Sequence, residues 1–335
     1  MKRRLIWSLL LTLVILLSGC KEEPVSEWAV TVDGTNLSCT TVNLDGTVCL
    51  PESELEAALG VEVPDALVKI IDSENWAPVY EVCKDLNISV LEDREMERLY
   101  LTSGILGWEV PEGYSVPVLM YHGITDDVWG DESMFLSPKD MEAHLQYLSE
   151  NGYDTIFFED LAHVDQYDKP IILTFDDGYV CNYTTLYPLL QKYQMKATIC
   201  IVTSSIDHRP TSMTSEMVRE LADSDLVSIQ SHTVNHPTLT KCSLKEKKHE
   251  IIQSKLEVTR MTGREPLVMC YPGGRHDNRV VSISEENYRF GIIVQDAVYT
   301  TGTDPFRIPR FGIYRGITME EFVSMLDSIE YQQAK

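Results

Sequence analysis

Two short segments of this sequence concentrate side chains that can hold a cation and move a proton. TFDDG, residues 174–178, sets two carboxylates side by side, Asp176 and Asp177, ahead of a glycine. SHTVNHP, residues 231–237, sets His232 and His236 four positions apart. Adjacent like charges repel, and a strand end packed on a core raises the cost of ionising both. A positive partner or a shared proton relieves that cost. The histidine spacing brings both imidazoles to one face of a turn or helix. One carboxylate and two neutral imidazoles make a three-ligand set with room left for water, the usual form of a catalytic zinc site. The same donors accept cobalt, nickel or iron. Only one acid need bind the ion; the other, ionised beside a cation, can take a proton from water. Taken alone, Asp-Asp-Gly is also ordinary turn chemistry. The elements that carry the two segments decide between these readings.

From Pro117 onward, strands and helices alternate. VPVLMYH reads as a strand, and Ser137-Pro138 then opens a helix with Met141, Leu145 and Leu148 at helical spacing. IILTF leads into Asp176, a helix is expected near Asn182 to Tyr193, and KATICIV follows as a strand. A helix follows Thr214, and the strand LVSIQSH delivers His232. Ser243 and Glu246 form a capping box for a long helix that stops at Gly263. LVMCYP and FGIIVQD complete the series. Repeated βα units imply an α/β fold with a parallel sheet or barrel and its function at the C-terminal strand ends. Both motifs fall at such ends.

The 335 residues suffice for two domains. Residues 1–20 read as a signal: MKRR is basic, LIWSLLLTLVILL is a 13-residue apolar run, and SGC is a small-residue exit. Residues 21–110 contain no histidine, whereas all eight histidines lie at or beyond His122. Within that first region PESELEAALGVEV, from Pro51, aligns with PVYEVCKDLNISV, from Pro78. Each copy reads as a strand, a proline opening a short helix, and a Gly or Asn exit. VTVDGT and VNLDGTVCL carry the Asp-Gly signal of tight hairpins. GWEVPEGYSVP, residues 107–117, has linker composition, so the third unit runs from about 111 to 335. Removing residues 1–20 leaves 25 basic against 52 acidic residues, a balance that argues against nucleic acid as a partner. The seven cysteines beyond Cys20, without a Cys-x-x-Cys spacing, argue against a disulfide framework or cysteine-zinc cluster, although Cys39 and Cys49 could pair across a hairpin. Cys200 and Cys270, with apolar neighbours, suit buried thiols acting as small hydrophobes.

TFDDG, SHTVNHP and YPGG, in this order and on these strands, resemble the polysaccharide deacetylase family, carbohydrate esterase family four, over about Pro117 to Ile317. PVLMYHGI followed by FLSPKDMEAHLQYLSENGYDTI is similar to the branch that includes poly-N-acetylglucosamine deacetylases. The resemblance implies a distorted (β/α) barrel, with Asp176 as general base and Asp177, His232 and His236 as metal ligands. It further implies a substrate-binding third motif at Tyr271, Pro272 and Gly273, whose Gly273 amide helps bind the oxyanion. His122 is the candidate general acid, His276 its rival, and Arg310 matches an arginine of this branch that steadies Asp176. Two departures stand out: Cys270 and Gly273 replace the Arg and Tyr that much of the family carries, and no histidine follows His276 to supply a late Leu-x-His motif. LLSGC resembles a lipobox, which implies lipidation at Cys20 and anchoring to the outside of a bacterial membrane. Residues 21–110 resemble the small αβ repeat module named after the copper amine oxidase N-terminal domain. Its copper does not transfer without histidines, and the region reads as a spacer or wall-contact module.

The activity so implied is metal-dependent removal of N-acetyl groups from a cell-surface glycan, peptidoglycan or poly-N-acetylglucosamine, with zinc the expected ion. An O-acetyl esterase of the same family and a non-catalytic glycan-binding lipoprotein are the alternatives.

Overall fold

An eight-stranded parallel sheet carries both motifs. The structure, a computed structural model, describes residues 28–332 apart from positions 45, 46, 72, 105 and 108. The lipobox and Cys20 lie outside the described residues. The sheet strands are β1 (Val118–Tyr121), β2 (Asp154–Thr155), β3 (Pro170–Asp177), β4 (Ala197–Ile201), β5 (Val227–Ser231), β6 (Val268–Cys270), β7 (Phe290–Ile292) and β8 (Phe311–Gly312). Their order is β7-β6-β5-β4-β3-β1-β8, with β2 added to β3. The two edges are joined by the segment that leads into β8: Ile308 bridges Ile292, and its N–H donates to Gly291 O at 2.9 Å. The expected barrel is therefore a curled sheet closed by an irregular segment, and that segment also carries Arg310.

Strand alternation sorts the side chains. On β3, Ile171, Leu173 and Phe175 pack with Leu119, Tyr121 and Ile199 in one apolar cluster, while Ile172 packs with Cys200, Val268, Cys270 and Ile292 in another. Each fully buried aliphatic or aromatic side chain contributes roughly 1.5–3 kcal/mol. Thr174 and Asp176 share the parity of Ile172, and β3 pairs β4 with Asp176 opposite Cys200. Asp177, the last residue of β3, leaves the alternation through left-handed backbone, with φ of 74°.

The helix signals act where the sequence places them. Ser137 caps Pro138–Glu150 by accepting from the Asp140 N–H. Thr214 caps Ser215–Ala222 in the same way. The stretch near Asn182 opens as a π-turn, Asn182–Leu186, and becomes α-helical over Tyr187–Tyr193, with Pro188, which has no N–H to donate, just past the change from the wide to the regular turn. The Ser243–Glu246 capping box opens the helical run from Leu244 to Thr262, which a π-turn over His249–Gln253 interrupts.

Residues 29–102 form two further four-stranded sheets. The internal repeat is a structural one: Thr47–Pro51 leads into the helix Glu52–Leu59, and Glu74–Pro78 into Val79–Asp85. The two strands pair antiparallel with Cys49 opposite Pro78, and both exits, Gly60 and Asn87, are left-handed. Asp33 and Gly34 form the first expected hairpin turn, with φ of 47° and 89°. The second Asp-Gly, at 45–46, lies outside the described residues. Cys39 and Cys49 are free thiols, because Val42 rather than Cys39 stands opposite Cys49. Arg260 ties this region to the barrel: its Nε donates to Asp93 Oδ2 at 2.6 Å, and its Nη2 donates to Asp93 Oδ1 and to Glu95 Oε2, each at 2.8 Å. A Cβ on Gly263 would lie 2.6 Å from Gly34 Cα, so the two backbones meet where only glycine fits.

Candidate active site

β3 ends in strained backbone. Asp177 has φ of 74° and Gly178 of 72°, and left-handed geometry is costly for a residue with a Cβ. A Cβ on Gly178 would stand 2.9 Å from Ile201 Cγ2, so this turn excludes other residues. The turn leaves Asp177 at the rim of the barrel, with Oδ1 3.7 Å from His232 Nε2 and 3.7 Å from His236 Nε2. The histidines sit on a tight turn after β5 rather than on a helix. Thr233 and His236 both have positive φ, and the His236 N–H donates to Thr233 Oγ1 at 3.0 Å. Their rings lie 4.7 Å apart, tilted by 70°.

This donor set fits a divalent cation. One atom from each of the three residues lies within 4.8 Å of the others. Tetrahedral bonds of about 2.0–2.2 Å need donors roughly 3.3–3.6 Å apart, and the two Asp177–imidazole distances of 3.7 Å lie close to that spacing. The His232 Nδ1–H donates to Cys270 O at 2.8 Å, which turns the Nε2 lone pair toward Asp177. Burial alone would push the His232 imidazole down, but Cys270, Asp176 and Asp177 raise it to about 10. The pocket thus favours a positive charge where the cation would sit.

Asp176 is wholly enclosed and spoken for on both oxygens. Arg310 Nη1 donates to Oδ1 at 2.8 Å and Nη2 to Oδ2 at 2.9 Å. Arg310 is itself fully buried, with Nη1 also donating to Thr174 Oγ1 at 3.0 Å and Nε to Ile293 O at 3.2 Å. The Cys270 thiol lies 3.5 Å from both carboxylate oxygens, and Arg310 Nη2 donates to its sulfur at 3.3 Å. Burial pushes the Asp176 carboxyl up, but Arg310 and His232 hold it well below the usual carboxylate range. Asp176 is therefore ionised at neutral pH, 3.9 Å from His232 Nε2 at the edge of the three-donor set. One sequence departure, at Cys270, acquires a structural context. The small Cys270 side chain packs directly against the Arg310 guanidinium, which enters from the closing segment.

The remaining candidates divide by position. His122 follows β1, and its Nδ1 is buried without a hydrogen-bond partner. Burial lowers its pKa, while Asp176 and Asp177 pull it upward, so the ring lies within the field of both acids. His276 instead stacks on Tyr271, with ring centroids 5.5 Å apart and Nδ1 3.0 Å from Gly274 O. Gly273 is exposed, with φ of 58°. Tyr271 and Pro272 are buried beside it. His144 is a core residue, stacked on Phe322 at 3.9 Å; His163, His208 and His249 are exposed.

Two contributors escape sequence reading. Cys270 looks like an inert small hydrophobe among apolar neighbours, yet its thiol touches the Asp176 carboxylate. Tyr179, directly after the acid motif, has its ring against Trp129 and Phe135, at 5.6 and 5.4 Å, and the nearby Asp177 charge helps burial to raise its hydroxyl pKa. A tyrosine two residues beyond a candidate metal ligand was the available signal.

Comparison with known proteins bears on the family and the fold. Residues 163–289 match the polysaccharide deacetylase family. YxkH of Bacillus subtilis (strain 168), assigned to the polysaccharide deacetylases, is 29% identical over 221 residues, 64% of this chain and 77% of its own. The poly-beta-1,6-N-acetyl-D-glucosamine N-deacetylase of Escherichia coli (strain K12) is 29% identical over 136 residues, which are 35% of this chain but only 20% of that enzyme. A crystal structure of a polysaccharide deacetylase from Bacillus cereus superposes with a TM-score of 0.61 at 30% identity, covering 64% of this chain and 69% of that one.

Proposed function

The chain belongs to the polysaccharide deacetylase family, and from that premise we propose that it hydrolyses N-acetyl groups of an N-acetylglucosamine polysaccharide, peptidoglycan or poly-N-acetylglucosamine, and releases acetate. The observation that carries the reading is the division of labour between neighbours: Asp177 turns toward two imidazoles, while Asp176 is held ionised on the Arg310 fork beside them.

A divalent cation on Asp177, His232 and His236, zinc or one of cobalt, nickel and iron, would supply Lewis acidity that polarises the acetyl carbonyl and acidifies a water. Asp176 takes the proton of the attacking water; as a weak base it suits a water already acidified. Arg310 fixes the direction of that carboxylate and keeps it charged. The Gly273 N–H donates to the oxygen that becomes negative as the acyl carbon turns tetrahedral. His122, in its protonated form, gives a proton to the departing nitrogen; burial works against that form and the negative charges of Asp176 and Asp177 work for it. The carbon–nitrogen bond breaks, leaving acetate and a free amine on the sugar.

Cys20 as a lipidated N-terminus, with anchoring outside a bacterial membrane, belongs to the same proposal and rests on the LLSGC lipobox. Among the described residues no helix is long and apolar enough to cross a membrane.

The test is acetate release by the chain from residue 21 on poly-β-1,6-N-acetylglucosamine oligomers, peptidoglycan fragments and acetylated xylan. Acetate from either amide substrate is expected. Acetate from xylan alone would replace the proposal with an O-acetyl esterase, and bound metal with no acetate from any substrate would replace it with a glycan-binding protein.

A further inference from the structure

The turn that carries His236 is not held by its own motif alone. Asn235, the residue before the ligand, donates its backbone N–H to Glu250 Oε2 and its side-chain Nδ2 to Glu250 Oε1, both at 2.8 Å. Glu250 is 6% exposed, and no ion pair among the described residues involves it. It lies in the π-turn His249–Gln253, the widened turn that interrupts the helical run after β5. Such bulges cost regular hydrogen bonding and concentrate at functional sites. A buried carboxylate without a cation is costly unless its lone pairs are filled, and here Asn235 fills one on each oxygen. This two-point grip is directional. It fixes both the height and the rotation of residue 235, and the next residue is His236, in left-handed backbone with φ of 55°. His232 is oriented by the Cys270 carbonyl, whereas the imidazole of His236 is 44% exposed. Its place depends on the backbone that bears it.

We infer that Glu250 is a positioning residue for the metal centre: by gripping Asn235 at two atoms it holds the strained turn on which His236 meets Asp177. The inference rests on the metal reading above and adds a residue outside the sequence motifs. Outer-shell partners of ligands typically change metal affinity by about 10–100-fold when lost. Glu250→Gln is nearly isosteric but sets an NH2 group against an N–H donor, so it keeps the packing and breaks one arm of the grip.

The experiment measures cobalt(II) affinity by chelator competition, with the visible cobalt spectrum as a reporter of ligand geometry, in the wild-type chain and in Glu250→Gln. The expected result is affinity weaker by about 10-fold or more and an altered spectrum, with a melting temperature near wild type. A folded Glu250→Gln with wild-type affinity and an unchanged spectrum overturns the inference. Should Glu250→Gln fail to fold, Asn235→Ala carries the test, because Asn235 is exposed and the substitution removes one arm only. Weaker cobalt binding supports the grip, and unchanged binding overturns it. A wild-type chain that takes up no cobalt overturns the metal reading itself, and this inference with it.

Discussion

The Arg310 guanidinium meets Asp176 as a two-toothed fork, 2.8 and 2.9 Å from its two oxygens, with both side chains almost wholly withdrawn from water. Lysine offers a point charge without that planar geometry. Arg310→Lys should keep the charge balance but release the orientation of Asp176, lowering kcat by about 10-fold or more while metal content stays at wild type. Steady-state kinetics with elemental analysis on the same sample check this. Arg310→Met should leave a buried, uncompensated carboxylate and cost about 3–5 kcal/mol in urea unfolding; a loss below about 1 kcal/mol would mean that the pair is not enclosed as described.

Asp176→Asn removes the proton acceptor and changes little else in shape. Turnover should fall by about 10²–10⁴-fold, the usual worth of a general base. Near-normal turnover in single-turnover assays would transfer the role to another group.

His122→Ala should slow acetate release by about 10²-fold or more without loss of metal, while His276→Ala should leave the rate within about threefold. His276 stacks on Tyr271, whereas His122 lies in the field of both acids. The reverse pattern would make His276 the acid.

His144 gives the fold a pH dependence that is separate from catalysis. Burial lowers its pKa from 6.5 to about 4, opposed weakly by Asp140. The folded state therefore prefers the neutral ring, and the unfolded chain binds the proton first as pH falls. Its contribution is fully present above about pH 6.5 and is lost progressively toward pH 4, by about 3 kcal/mol in all. His144→Phe retains a ring against Phe322 and should flatten that part of the stability curve. Unfolding midpoints that fall in parallel for both chains would rule this out.

Much of the site was legible because its motifs are local. The acids end one strand and the histidines follow another, and βα alternation places both at one end of a parallel sheet. Helix caps at Ser137, Thr214 and Ser243 were legible for the same reason, since a cap needs only its own first turn. Cys270 was misjudged because its immediate neighbours are apolar, while the groups that define it, Asp176 and Arg310, arrive from 94 and 40 residues away. Arg310 was legible only through the family resemblance, since it sits on the irregular segment that closes the barrel, where no periodicity announces which way a side chain points. Glu250 was hidden likewise: a helical pattern gives no warning of a π-turn that brings an acid inward. The turn bearing His232 and His236 kept the expected proximity of the rings, although left-handed residues rather than a helix produce it.

The account depends on two adjacent acids having different jobs. Metal stoichiometry in Asp176→Asn and Asp177→Asn, purified in parallel and loaded with zinc before elemental analysis, tests that directly. One ion per chain in Asp176→Asn and little or none in Asp177→Asn is the predicted result. Zinc lost from the first and retained by the second would contradict it.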